Sequence, residues 1–389
     1  MTTVTTRTNI FKRLGGSIKA IGFGILLFFI AFPVLFLNEG RAVKTARALA
    51  EGAAAVVSID ANNPGQAGDG ALVHFTGEAT TDEVLEDPLF GARVQALRLE
   101  RQVEMFQWQE NTETRQEEKL GGTVETTTTY TYRQDWSSTL RDSSRFQESA
   151  AHQNPASMPY TGESFEAQVV TVGAFQLGDA LRSRAGVPTE LAAQEGWLEG
   201  LPAELRGRAK LSGGKIFVGQ NPSTPQVGDL RISFQVVNPS TVSVIGRKSG
   251  NLVEQYTTSN NRQIGMVNQG TQSAEAMFEA AEAGNRMMTW ILRFLGFFMM
   301  FSGIAMVLAP AKILASVIPF LGRIVGAGTR LVAIAIAAPL SLFTIALGWI
   351  VYRPLLGILL FLVGAAILGG LFVLIKKAKA VVPEAEPVL

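Results

Sequence analysis

The 389-residue chain contains no cysteine, only two histidines, and a formal net charge of +1. Without cysteine there is no disulfide, no thiolate chemistry and no cysteine-held zinc or iron–sulfur centre. A large extracytoplasmic domain does not need disulfides, and their absence suits a bacterial periplasmic domain slightly better than a eukaryotic lumenal one. His74 and His152 are far apart and give no metal-ligand spacing. A packed or backbone-bonded role suits both. A balanced charge offers no electrostatic case for nucleic acid. Gly-x-Ser-x-Gly, His-Glu-x-x-His and the phosphate-cradling glycine patterns are also missing. Gly121-Gly122 and Gly213-Gly214 read as turns. No catalytic, metal or cofactor residue is expected, and the chain reads as a non-enzyme.

Long apolar runs are abundant, and they crowd the two ends. The first, 20–37, has 18 residues without a charge, enough to cross about 30 Å of hydrocarbon. It is longer than a signal-peptide core, and Asn38-Glu39-Gly40-Arg41 follows it where a small-residue cleavage site would stand. Three more runs lie at 294–311 (in a span of 290–311), 331–351 and 355–375. Tyr352-Arg353-Pro354 is a tight turn between the last two, because proline disfavours helix at the residue before it.

Lys and Arg near the spans set orientation. Residues 1–19, 312–330 and 376–389 hold most of them and are expected to be cytoplasmic, which leaves 38–289 periplasmic or lumenal. Residues 312–330 alternate apolar and basic positions at helical spacing and predict an amphipathic helix in the cytoplasmic interface. Ala333, Ala337 and Ser341, with Ala305, Ala309, Ala365 and Gly369, recur every fourth position and would permit close helix contact. Spans one, three and four hold no ionisable residue, which disfavours transport. Arg293 is placed to snorkel to the interface.

Between the spans the pattern is β-rich. Leu97, Leu99, Val103 and Met105 alternate with their neighbours, as do the residues from Val124 to Trp136. Together they predict a long hairpin with a solvated tip. Further strands are predicted at 54–59, 72–75, 168–172, 215–218, 230–237, 242–247 and 252–257. Helices are predicted at 38–52 (stopping at Gly52), 177–184, 189–197 and 272–286, the last running into the second span. The expected fold is an α+β membrane protein with one N-terminal and three C-terminal transmembrane helices around a β-rich domain.

Several local motifs appear in a recognisable order. They are Asn38-Glu39-Gly40-Arg41-Ala42, Val103-Glu104-Met105 with Gln107-Trp108, Asn154-Pro155, Asn221-Pro222, Val227-Gly228-Asp229-Leu230-Arg231, and Gly348-Trp349 with Tyr352-Arg353-Pro354-Leu355. With them the chain resembles the transmembrane protein 43 (LUMA) family over nearly its whole length. The resemblance implies four spans, a large lumenal or periplasmic domain and a scaffold that self-associates. It carries over no catalytic residue. The lack of cysteine and the C-terminal tail depart from the pattern, so eukaryotic partners do not transfer to a bacterial relative.

Asn38, Glu39, Arg41, Trp108, Asp229, Arg231, Tyr352, Arg353 and Pro354 are the candidate interaction or structural residues. Glu39 and Arg41 are expected to pair with each other or with Arg353. Trp108 and Trp136 are expected to pack the hairpin. The expected function is a membrane scaffold, with lipids, further copies of the chain and other membrane proteins as partners. Lipid binding or sensing comes second, and an oligomeric pore third. The expected site is a bacterial inner membrane, or the endoplasmic reticulum and inner nuclear membrane for a eukaryotic chain.

Overall fold

The computed structural model describes residues 1–355 and 359. They divide into two compact units. The first comprises Met1–Arg7, Arg47–Glu117 and Glu125–Glu282. The second comprises Thr8–Ala46, Glu118–Val124 and the described residues from 283 on.

The elements needed below are strands β1 (Thr2–Thr8), β2 (Leu72–Thr80), β3 (Arg98–Glu118), β4 (Val124–Ser137), β5 (Thr171–Val172), β6 (Phe175–Leu177), β7 (Lys215–Val218), β8 (Leu230–Val237), β9 (Ser240–Ser249) and β10 (Leu252–Glu254). The long helices are α1 (Ile10–Ala55), α2 (Ala274–Ala315) and α3 (Pro319–Tyr352). All three are long and apolar enough to cross a membrane. The fourth expected span, 355–375, and the tail 376–389 lie essentially outside the described residues. Apolar helices at both ends with a β-rich α+β domain between them agree with the expected class.

The first unit holds two large sheets, beside two short two-stranded ones. One runs β1-β4-β3-β8-β7 and ends at Ala209–Ser212. Along β8, alternation puts Leu230, Ile232, Phe234 and Val236 inward, opposite the Met105, Val103 and Leu99 side of β3. In the other sheet, five strands pair in a closed circuit: β2 with β9, β9 with β10, β10 with β6, β6 with β5, and β5 with β2. Phe75 and Phe175 stack inside it at 4.6 Å. β9 is buried on both sides from Val242 to Gly246. Val242 and Val244 face the main core, while Ile245 packs with Leu49, Ile264 and Phe278.

The second unit packs α1, α2 and α3 around Ala31, Leu35, Met300 and Ala337. α1 and α2 come closest at two glycines. A Cβ on Gly24 would lie 2.8 Å from the Gly303 carbonyl oxygen, and one on Gly303 would lie 2.6 Å from that of Gly24. α3 buries a row of small residues that includes Gly326, Ala333, Ala337 and Ser341. Phe23, Phe29, Phe294, Phe298 and Phe343 point outward, as a lipid-facing surface requires.

Several expectations need correction. Gly52 does not stop α1, which runs on to Ala55. The glycine is needed for contact, since a Cβ there would meet Ile264 at 2.5 Å and Phe278 at 2.9 Å. The expected helix 189–197 is a strand, Thr189–Leu191, followed by helix Glu195–Gly200. Pairing of Thr189–Leu191 with β8 overrides local helix propensity. Residues 312–330 are no separate interfacial helix. They are shared between the end of α2, a break at 316–318 and the start of α3 at Pro319, where proline suits a first turn.

The hairpin tip is not merely solvated. Within the second unit, Arg13 donates to the Gly122 carbonyl at 2.7 Å and pairs with Glu118 at 2.9 Å. The Gly121 N–H meets the Val317 carbonyl. The N-terminal segment is also not a separate tail, because β1 forms the edge of the first sheet.

Candidate functional site

The Asn38-Glu39-Gly40-Arg41 motif sits on α1 directly after its apolar run. Asn38 and Glu39 are almost fully buried. The Glu39 carboxylate accepts two parallel bonds from Arg293 of α2, Nε at 2.7 Å and Nη2 at 2.8 Å. It accepts a third from the Trp349 indole N–H of α3, also at 2.7 Å. The Arg293 guanidinium lies 4.9 Å from the Trp290 ring and 5.5 Å from the Trp349 ring. The Glu39 carboxylate is buried and the Arg293 guanidinium only partly exposed, so the fork-to-fork bond is strong and costly to lose.

The flanking residues complete the lock. The Asn38 amide donates to the Thr289 carbonyl at 3.1 Å, and its oxygen accepts from Arg41. Arg41 also donates to Asn285 Oδ1 and Thr289 Oγ1, each at 3.0 Å. Asn285 donates back to the Ala42 carbonyl. Gly40 is glycine for space, because a Cβ would strike the Tyr352 ring at 2.6 Å. Gly348 lets the Glu39 side chain lie against α3, where a Cβ would come within 2.9 Å of it. The motif thus ties three helices together, with one ion pair at the centre and hydrogen-bonded amides around it.

This changes the reading of several candidates. Glu39 pairs with Arg293, while Arg41 bonds Asn38, Asn285 and Thr289. Their α2 partners sit at positions 285, 289 and 293, four residues apart and so on one helix face. Arg293 does not snorkel, because the buried carboxylate holds it. Arg353 and Pro354 are exposed, and Arg353 leaves helical geometry while its N–H bonds the Trp349 carbonyl at 2.7 Å. Tyr352 belongs to the lock through Gly40 and its contact with Phe36.

The other candidates lie in the first unit. Asp229 is buried beside Gly219 and accepts the Gln226 N–H at 2.8 Å, which shapes a turn. Arg231 pairs with Glu104 at 2.7 Å and lies 4.5 Å from the Trp136 ring. The Trp108 backbone exchanges bonds with the Asn154 side chain, and its ring meets His152 edge-on. His74 is satisfied by Ser58 and the Gln272 carbonyl.

Tyr132 stacks on His152 at 3.7 Å and donates to Glu110 at 2.7 Å. Burial, and then the bond to Glu110, push its hydroxyl up to about 12. A raised phenol favours the folded state below its ordinary value near 10, and that stability is lost as pH rises from about 10 to 12. A spectrophotometric titration should show late-ionising tyrosines, Tyr132 and Tyr160 among them, and Tyr132→Phe should remove one. An unchanged titration would refute the assignment.

The family model for Transmembrane protein 43 matches residues 105–354. Transmembrane protein 43 of Homo sapiens is 32% identical over 90% of this chain and 88% of its own length. The Mus musculus protein is 33% identical over 88% and 87%, and the Drosophila melanogaster homolog 29% over 88% and 92%. No solved structure matches the chain. A family match across most of the chain, with near-full-length relatives at about a third identity, makes this chain a member of the transmembrane protein 43 family.

Proposed function

We propose that the protein is a non-enzymatic membrane scaffold that self-associates and organises other membrane proteins. The observation that carries this is the closed lock of Glu39, Arg293 and Trp349. Charged groups near the membrane end of the helices are spent on one another, whereas transport sites keep such groups free for a passing ion or proton. The result is a fixed helical frame with apolar outer faces, suited to presenting surfaces to neighbours. Crosslinking in native membranes, followed by mass spectrometry of protein and bound lipid, tests it. Homo-oligomer ladders and reproducible partners are expected. A monomer carrying one enriched lipid and no partner would overturn the scaffold and favour lipid handling.

We also infer that both termini face the cytoplasm and that 38–289 lies across the membrane, in a bacterial inner membrane or a eukaryotic endomembrane. The Lys and Arg distribution supports this, while the place of β1 beside β4 opposes it. Magnitudes decide. Thirteen Leu, Ile, Phe and Val residues in 20–37, at roughly 0.3–0.6 kcal/mol each, favour insertion by about 4–8 kcal/mol. The seven-residue, mostly exposed edge strand β1 gains about 0.5–1.5 kcal/mol per hydrogen bond, which the cost of about 1–2 kcal/mol per residue for ordering it offsets. On this reading the inserted state lacks the β1–β4 pairing and the Arg13–Glu118 pair that the structure contains.

The cysteine-free chain makes the test direct. Single cysteines at Thr5 and Leu120, both exposed, should label from opposite sides with an impermeant reagent. Labelling of both from one side would show that the β1–β4 pairing persists and that α1 does not cross.

A further inference from the structure

The outward face of β8 carries a feature that the scaffold reading does not use. Alternation sends Arg231, Ser233 and Gln235 away from the core, and the register sets Arg231 opposite Glu104 and Ser233 opposite Gln102. On the other side, Phe217 of β7 stands opposite Arg231. Two cavities of about 410 Å³ and 260 Å³ lie over this face and share Gly213, Lys215 and Arg231 in their walls. The Gly213-Gly214 turn has positive φ at both residues, +56° and +73°, the geometry of a tight hairpin turn. The Ala193 N–H binds the Gly214 carbonyl at 2.8 Å, which joins the two segments that wall the larger cavity. The smaller cavity is walled by Trp136, Phe217 and Pro222. Trp136 is fixed by Phe106 at 5.2 Å, Phe217 at 6.3 Å and Arg231 at 4.5 Å.

We propose that this cleft is a binding site for a short neutral oligosaccharide. Three observations select that class. The floor is the face of a sheet whose backbone groups are already paired along the ladder, so no strand edge is open to an extended peptide. Recognition falls to side-chain amides, a hydroxyl and charged groups already offset by neighbours. The charges lining the larger cavity balance, Lys215 and Arg231 against Glu104 and Glu190, which disfavours a strongly charged ligand. An aromatic wall at one end offers a surface to the C–H face of a sugar ring, while the planar polar groups meet its hydroxyls.

The test uses the full chain in nanodiscs, titrated calorimetrically with short cello- and chito-oligosaccharides. Wild type should bind at least one of them. Both Trp136→Ala and the pair Gln102→Ala with Gln235→Ala should weaken binding tenfold or more. No binding across the panel would overturn the proposal. Binding unchanged in both variants would overturn the location. Loss in Trp136→Ala alone would overturn the saccharide class, since it marks only an aromatic patch. Should Trp136→Ala fail to fold, the glutamine pair on the exposed face decides alone.

Discussion

Replacing Glu39 by glutamine should cost about 3 kcal/mol of stability, because it leaves the largely shielded Arg293 without its counter-charge. The side chain keeps its size, so packing against Gly348 is retained and the loss reports the charge. Arg293→Met should cost a similar amount by stranding Glu39. The two combined, Glu39→Gln with Arg293→Met, should be milder than either alone, because neither charge is then left unpaired. Arg353→Ala, at an exposed position, should stay within about 0.5 kcal/mol of wild type. Thermal unfolding of the purified protein in one detergent measures all four. A double variant as damaged as the sum of the singles would mean that the two residues act separately, and the lock would be wrong.

Asp87→Ala should be at least as damaging in the first unit, at about 3–5 kcal/mol, and for a related reason. Arg101 and Asp87 are both buried, and both carboxylate oxygens of Asp87 accept from Arg101 at 2.7 Å. Asp87 also accepts the backbone N–H groups of Leu89 and Phe90, so its loss leaves buried Arg101 with only the half-exposed Glu163 as counter-charge and strands two further donors. The Arg101 guanidinium also lies 5.1 Å from the Phe90 ring. Glu163 is the third partner, but its side chain is 53% exposed, so Glu163→Ala should cost no more than about 1 kcal/mol. Near-ultraviolet circular dichroism during denaturant unfolding reads the difference. Equal losses for Asp87→Ala and Glu163→Ala would show that burial of the pair is not what matters.

The Arg101 pair also shows how far the sequence could be read. Leu99, Val103 and Met105 announced β3 by their alternation, and all three are in the core. The same alternation assigns an inward place to residue 101, and an arginine there signals a buried ion pair. Its partner, 14 residues upstream on a separate loop, has no local pattern to betray it. The motif at 38–41 was visible as a motif, but its partners were not, because they lie on helices that begin more than 200 residues later. The spacing Asn285, Thr289, Arg293 was the available clue: three polar residues on one face of a helix entering an apolar run. Strands β7 and β8 were legible to the residue, β8 because its alternation coincides with burial and β7 because it is a short apolar run between turns. The strand at 189–191 was not, because its pairing with β8 outweighs what its own residues prefer.

The order of synthesis gives the lock a further consequence. Glu39 leaves the ribosome 254 residues before Arg293 and 310 before Trp349. At roughly 5–20 residues per second, α1 waits about 10–50 s in the membrane with an unmatched carboxylate. The nascent helix must therefore keep Glu39 at the water-facing edge, or be held by the insertion machinery, until α2 arrives. A transcript truncated before Arg293 would release a chain that can never neutralise that charge, and such a chain is a ready substrate for membrane quality control. The motif that fastens the finished protein thus also marks the unfinished one.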